Sequence, residues 1–202
     1  MDDIKVIDSD FNLLASIDNY DSCQADRKLY EVGTIEINVN YGINGADTIK
    51  PGRIVFIDSE RPYVITGIEI SETTKGTQMK ARGMQLKWIV NQRITVPDWN
   101  DDAAYYGYDR FPAPDAAEAP AETVMKHYVN KHMIAPYDPM RAIPQLKLAP
   151  DQGRGRTMRW SSRFESLQTL LKGIGEWSEI GYDITLDLTA KKFVFDVVVG
   201  VD

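Results

Sequence analysis

The chain has 202 residues, 43% hydrophobic and 26% charged, enough for one or two globular domains and too apolar for a chain disordered along its whole length. Thirty acids against 23 bases leave a net charge of −7, which argues against a nucleic-acid binder held by counterion release and against an anionic membrane as partner. The single cysteine, Cys23, excludes an intramolecular disulfide and a multi-cysteine zinc site and fits a reducing cytoplasm.

No charged-then-apolar leader opens the sequence, and the longest apolar run, Val197 to Val199, is far short of a membrane span. The expectation is a soluble product without a signal peptide. The first 95 or so residues read as strands. Thr34 to Tyr41 places Ile35, Ile37, Val39 and Tyr41 on one face and Glu36, Asn38 and Asn40 on the other. Asn44-Gly45 tolerates positive φ, and Pro51-Gly52 precedes a β-rich run from Arg53 to Asp58. Tyr63 to Ser71 and Thr77 to Arg82 are two further strands, joined at Lys75-Gly76. Strands at this spacing predict a small barrel or sandwich. Helical offsets of Leu86, Ile89 and Val90 predict a short helix over Met84 to Gln92.

Pro97 to Pro120 breaks the pattern with prolines, alanines and Tyr105, Tyr106 and Tyr108. Residues 98 to 122 carry seven acids against Arg110 alone, a net of −6, so most of the charge sits in a functional loop or a linker. Helical spacing returns over Ala121 to Met133, and Pro136 and Pro139 forbid its continuation. A second helix is predicted over about 163–178. Ser162 and Glu165 have the capping-box spacing, Phe164, Leu167, Leu171 and Ile174 form an apolar stripe, and Gly181 suits the C-terminal cap. Tyr182, Ile184, Leu186 and Leu188 then alternate with polar residues, as do Phe193, Phe195, Val197 and Val199, giving a hairpin over about 182–200 that turns at Ala190-Lys191. The expected class is α+β and β-rich. Two small barrel- or sandwich-like lobes, 1–95 and 121–202, carry helical insertions and flank the loop or linker 96–120.

Side chains for catalysis are few, and the chain lacks G-x-S-x-G, H-E-x-x-H, P-loop and G-x-G-x-x-G motifs. His127 and His132, five apart, diverge by about 140° on an α-helix, which is wrong for chelating one ion. No activating histidine is visible for Cys23, which reads as a buried structural residue. Asp183, Asp187 and Asp196 fall on polar-facing positions of the last hairpin, where a cation site, an acid/base pair and a plain solvated face all give the same pattern. Asp8 and Asp10 fit a cation or a turn. The one basic cluster, Arg154, Arg156, Arg159 and Arg163 with Gly153 and Gly155, is either an arm that docks on an acidic neighbour, such as the −6 segment of another copy, or a solvated loop. Tyr105, Tyr106 and Tyr108 with Trp99 form either an aromatic platform for a sugar or protein partner or a loop packed on its own domain.

Several blocks resemble a family of siphophage and prophage tail proteins, the ReqiPepy-type tail-associated or baseplate hub group. The opening block from Ile4 to Asn40 carries Asp8, Tyr20, Ser22, Tyr30 and Gly33 in the family order. PGRIVFID, YVITGIEI, MKARGMQLKWIVNQRI with Gly83 and Arg93, and the closing block from Arg163 are similar too, leaving mainly residues 97–155 unmatched. The resemblance implies a structural, non-enzymatic module of the virion tail, made in the host cytoplasm. It is expected to form a ring, typically a homotrimer, that caps the tail tube, meets the distal tail and tape-measure proteins and lets DNA pass. No catalytic residue, cofactor or metal transfers from the family, and no specific nucleic-acid or membrane binding is expected. Family members usually run past the final G-x-D, so the expectation is the hub module without its host-contacting part. The rival expectations are a carbohydrate-active or wall-degrading enzyme domain, using aspartates beside the aromatic loop, and a glycan- or protein-binding adaptor.

Overall fold

Strands with one apolar face need a surface to bury it against, and the first part of the chain supplies a sheet. A computed structural model describes residues 3–58, 61–74, 76–97 and 108–200. The chain divides into two units. Unit 1 takes the residues up to Lys28, Val32–Leu86 and Ile184–Lys192; unit 2 takes Leu29–Glu31, Lys87–Asp183 and the residues from Phe193 onward.

Unit 1 is built on seven strands: β1 (Ile4–Ile7), β2 (Leu13–Ile17), β3 (Ser22–Ala25), β4 (Thr34–Asn40), β5 (Ile54–Phe56), β6 (Pro62–Thr73) and β7 (Gly76–Gln85). They lie in the order β2-β1-β5-β6-β7-β4-β3, antiparallel throughout. Ile35, Ile37 and Val39 of β4 join Val6, Val55, Ile65 and Met79 in one core cluster, while Glu36 faces outward and pairs with Lys80 at 2.8 Å. Tyr41 lies one residue past the strand and is 37% exposed, so the expected face ends at Val39. Among the described residues no sheet closes into a barrel: β2 and β3 remain open edges.

Two glycines of the family-like blocks are required by close approach. A Cβ at Gly33 would lie 2.1 Å from the Asp26 carbonyl oxygen, and one at Gly83 would lie 2.5 Å from that of Val64. Asp8 holds the β1–β2 turn, its carboxylate accepting from the Asp10 and Asn12 amides at 2.9 Å, so the turn reading of Asp8 and Asp10 is the one realised. Hydrogen bonds from Asn12 keep the Asp8 carboxyl below its ordinary pKa.

Unit 2 holds two helices, α1 (Ala121–Val129) and α2 (Leu167–Ser178), which pack on each other. A three-stranded sheet runs in the order β10-β14-β13, from β10 (Leu146–Leu148), β14 (Lys192–Val199) and β13 (Ile180–Asp187); its hairpin end, Ile184–Lys192, is counted with unit 1. Two short ladders pair β8 (Asp109–Phe111) with β12 (Trp160–Ser162) and β9 (Ala119–Pro120) with β11 (Thr157–Met158). Leu167, Leu170, Leu171 and Ile174 bury one face of α2, as their spacing predicts. The β-rich α+β class is realised.

The ends of α2 depart from expectation. Ser162 does not cap it: it belongs to β12, opposite Asp109, and its hydroxyl lies 2.6 Å from that of Thr95. Long-range pairing outcompetes the local box, and Ser166 stands at the N-cap instead. Phe164 leaves the stripe at φ 51°, 47% exposed. At the other end Glu179, φ 61°, makes the left-handed cap. Gly181 lies within β13, where a Cβ would sit 2.3 Å from the Leu29 side chain. The helix expected at Met84 to Gln92 is a 3₁₀ helix, Leu86–Gln92, because β7 extends through Gln85.

Candidate functional site

The first helix of unit 2 stops being α-helical at Val129 and continues as one π turn, Asn130–Ile134, closed by the Ala135 amide on the Asn130 carbonyl at 2.8 Å. A π turn closes i to i+5, so residues five apart converge where an α-helix would separate them. His132 Nε2 thereby donates to Asp109 Oδ2 at 3.0 Å, and His127 Nε2 stands 4.0 Å from Oδ1 with its ring stacked on Phe111. The 140° divergence expected from α geometry is thus undone. Convergence is on a carboxylate, and among the described residues no group of three or more His, Cys, Asp or Glu is placed to hold a metal.

Asp109 is 2% exposed and also accepts from Lys131 Nζ at 3.0 Å. Burial opposes its ionisation, but the two imidazoles and the Lys131 ammonium outweigh it and hold its pKa well below the usual range. For His132 burial is the largest influence and pushes its pKa down, against the pull of Asp109, so the ring is neutral at pH 7. Tyr128 closes the cluster from α1, donating toward the Asp109 and Trp160 carbonyls at 3.1 Å.

His132 and Lys131 form the floor of an open cleft of about 560 Å³ within unit 2. One wall runs from Asn91 to Val96 and is tacked to the start of α2, with Leu167 N donating to Arg93 O and Thr95 N to Glu165 O, both at 2.9 Å. The other is the turn after Asp138, whose carboxylate accepts from Met140 N at 3.0 Å. Two arginines join the walls: Arg93 Nε donates to the Arg141 carbonyl at 3.0 Å, and Arg141 Nη2 to the Ile94 carbonyl at 2.6 Å. Sequence reading placed Arg93 in a family-like block but missed the cleft, because its residues come from three separate stretches.

A second buried polar group ties α1 to the loop before β11. Glu122 is wholly buried and accepts from Lys126 Nζ at 2.6 Å, from Arg154 Nη2 and Nε at 2.8 Å and from the Arg154 amide at 2.9 Å. Asp196 Oδ1 takes Arg154 Nη2 at 2.6 Å and Lys126 Nζ at 3.1 Å. Two acids and two bases cancel. Burial works against the charge on Glu122, and the Arg154 and Lys126 hydrogen bonds reverse that effect, leaving its pKa far below the ordinary carboxyl value.

Of the basic cluster, Arg154 is therefore spoken for inside its own unit. Arg156 is exposed and pairs with Glu179 at 2.9 Å, and Arg159 is exposed and donates to the Ala116 carbonyl at 2.5 Å. Tyr108 is 38% exposed with the Arg110 and Arg163 guanidiniums 5.8 and 5.5 Å from its ring centre. Tyr105, Tyr106 and Trp99 lie outside the described residues. Asp183 is 5% exposed, contrary to its expected solvent-facing position, because both faces of β13 are covered there. Asp187 accepts from the Ala190 amide in the hairpin turn at 2.9 Å. The cleft lined by Arg93, Lys131 and Arg141 takes no lining from Asp183, Asp187 or Asp196. Cys23, on β3, is half-buried beside the core, and burial pushes its thiol pKa up.

In unit 1 the β6–β7 hairpin runs past the strand on its outer side. β5 pairs with β6 only from Pro62 to Val64, and beyond Ile65 no described strand pairs with that edge of residues 66–72. Ile68 and Ile70, 38% and 48% exposed, lie opposite Ala81 and Met79 on the core-side face of this hairpin.

Among solved structures, the chain is similar to the tail protein from Neisseria meningitidis MC58, at 9% identity and TM-score 0.49 over 96% of this chain and 49% of that one. It is also similar to the 43 kDa tail protein of prophage MuSo2 from Shewanella oneidensis, at 11% identity and TM-score 0.49 over 97% of this chain and 54% of that one. A third is the E. coli c3393 protein, a component of the type VI secretion system with structural similarity to T4 bacteriophage tail proteins gp27 and gp5, at 9% identity and TM-score 0.44 over 87% and 46%. The chain spans about half the length of these structures. No curated protein matches it. The model of the family described as Siphovirus ReqiPepy6 Gp37-like protein matches residues 3–202, and the chain therefore belongs to that family of siphovirus tail proteins.

Proposed function

We propose that the chain is a non-enzymatic structural module of a siphovirus tail tip and that copies of it associate edge to edge into a ring. Family membership supports the tail role. The observation that carries self-association is the edge of residues 66–72, which no described strand pairs, with Ile68 and Ile70 half exposed beside it. An uncovered edge with apolar side chains is a template for another strand.

A trimeric ring on the tail tube, in contact with distal tail and tape-measure proteins, is the arrangement this reading favours. Arg156, Arg159 and Tyr108 are exposed groups suited to such contacts, and Tyr105 and Tyr106 are proposed to join them. The net charge of −7 suits a DNA conduit, since like-charged walls repel phosphate. Light scattering on the full chain across a concentration range tests the ring. The expected result is a mass that is a small multiple of 22.8 kDa. A monomer at every concentration overturns self-association and leaves family membership intact.

A further inference from the structure

The strongest feature not absorbed by that reading is the unit 2 cleft, at a different place from the β6 edge. Its lining carries Arg93, Lys131 and Arg141 against the single acid Asp138, a local excess of positive charge in a chain of net −7. Lys131 already serves Asp109. The two arginines serve only uncharged partners: Arg93 donates to the Arg141 and Gln92 carbonyls, and Arg141 to the Ile94 carbonyl. Among the described residues no carboxylate lies within ion-pairing range of either. A guanidinium has five N–H donors, so most of theirs have no acceptor among the described residues. His132, neutral and turned to Asp109, adds no cation.

The rim is apolar. Met140 is 90% exposed, Tyr137 65% and Ile94 48%. A bare phosphate or a free carboxylate would use the arginines and leave these side chains in water. A nucleic-acid strand would meet the repulsion of the surrounding negative chain. Carboxylates and apolar side chains alternating on one short segment would use both halves of the cleft.

We infer that this cleft is a docking site for an acidic peptide segment carrying aromatic or aliphatic side chains, presented by a neighbouring protein of the tail. The carboxylates lie on Arg93 and Arg141, where fork-shaped donors favour them over other anion contacts. The apolar side chains lie on Ile94 and Met140.

Fluorescence anisotropy with a labelled synthetic peptide that interleaves aspartates with tyrosines, titrated with the full chain, tests the site. The expected result is saturable binding that weakens as salt rises. Arg141→Gln should weaken it about tenfold or more. Because Arg141 also joins the cleft walls, Met140→Asp is the second variant: it adds an acid on a side chain that is 90% exposed and leaves in place the backbone amide held by Asp138, and should weaken binding to a similar extent. The inference is overturned if both variants bind like the parent, or if a peptide with lysine in place of aspartate binds equally well. It is also overturned if an aspartate-only peptide binds as tightly, which makes the cleft a plain anion site, or if a single-stranded oligonucleotide binds more tightly, which makes it a nucleic-acid groove.

Discussion

Glu122 has no exposed surface and four donors on its two oxygens, so its charge is stable only while Lys126 and Arg154 stay in place. Glu122→Ala leaves the two cations with Asp196 as their one carboxylate among the described residues and is expected to cost about 3 kcal/mol in urea denaturation. Breaking the exposed Arg156–Glu179 pair by Arg156→Ala should cost no more than about 0.5 kcal/mol, and similar losses at the two sites would refute the distinction. Asp109 and His132 set a second expectation. His132 has a folded pKa below its ordinary 6.5, so the unfolded chain takes up the proton first, and stability is complete above about pH 6.5 and declines as pH falls below it. Asp109 and Glu122, depressed below 3.8 and 4.5, add losses that begin only below about pH 4.5. Stability measured between about pH 7 and 5 should therefore fall in the parent and be nearly flat in His132→Gln. An unchanged slope in the variant would place the titrating group elsewhere.

At the scale of elements, the strands with strict alternation were legible in the sequence: β4, β6 and β7 follow from Ile35, Ile37 and Val39 and from the Tyr63 and Thr77 runs. The apolar stripe from Leu167 to Ile174 showed α2 in the same way. Ends were less legible. Ser162 and Glu165 carry a valid capping pattern, yet pairing of Ser162 opposite Asp109 across more than fifty residues overrides it. The histidine pair failed for a related reason, since a π turn has no periodic signature and only the finished helix shows His127 and His132 converging. The site was the least legible part, as Arg93, His132 and Arg141 come together only through the folded chain. The β6 edge gives this scale its expectation. Ile70→Lys puts a charge where a second copy would pair, on a side chain already 48% exposed, so it should shift the scattering mass toward monomer while the melting temperature of the monomer changes by little. Equal oligomer in parent and variant would move the contact away from this hairpin.

For the whole molecule, charge placement decides what the proposed ring does with its cargo. Lys126, Arg154, Arg156 and Lys172 are engaged with carboxylates, and the chain as a whole carries −7, a field that repels phosphate. Duplex DNA at low salt should show no gel retardation by the chain, and a retarded band would contradict the conduit reading. The division of the chain carries one more consequence. Unit 1 is not finished at Leu86: it also needs Ile184–Lys192, after nearly the whole of unit 2 has been made. On the ribosome all seven strands of the first sheet are available once Gln85 has been made, whereas the last segment of unit 1 is made only after Asp183. The late segment, more than any step within the sheet, sets the moment at which unit 1 is whole. A ring that pairs copies through unit 1 would draw on chains in which Ile184–Lys192 has already joined it.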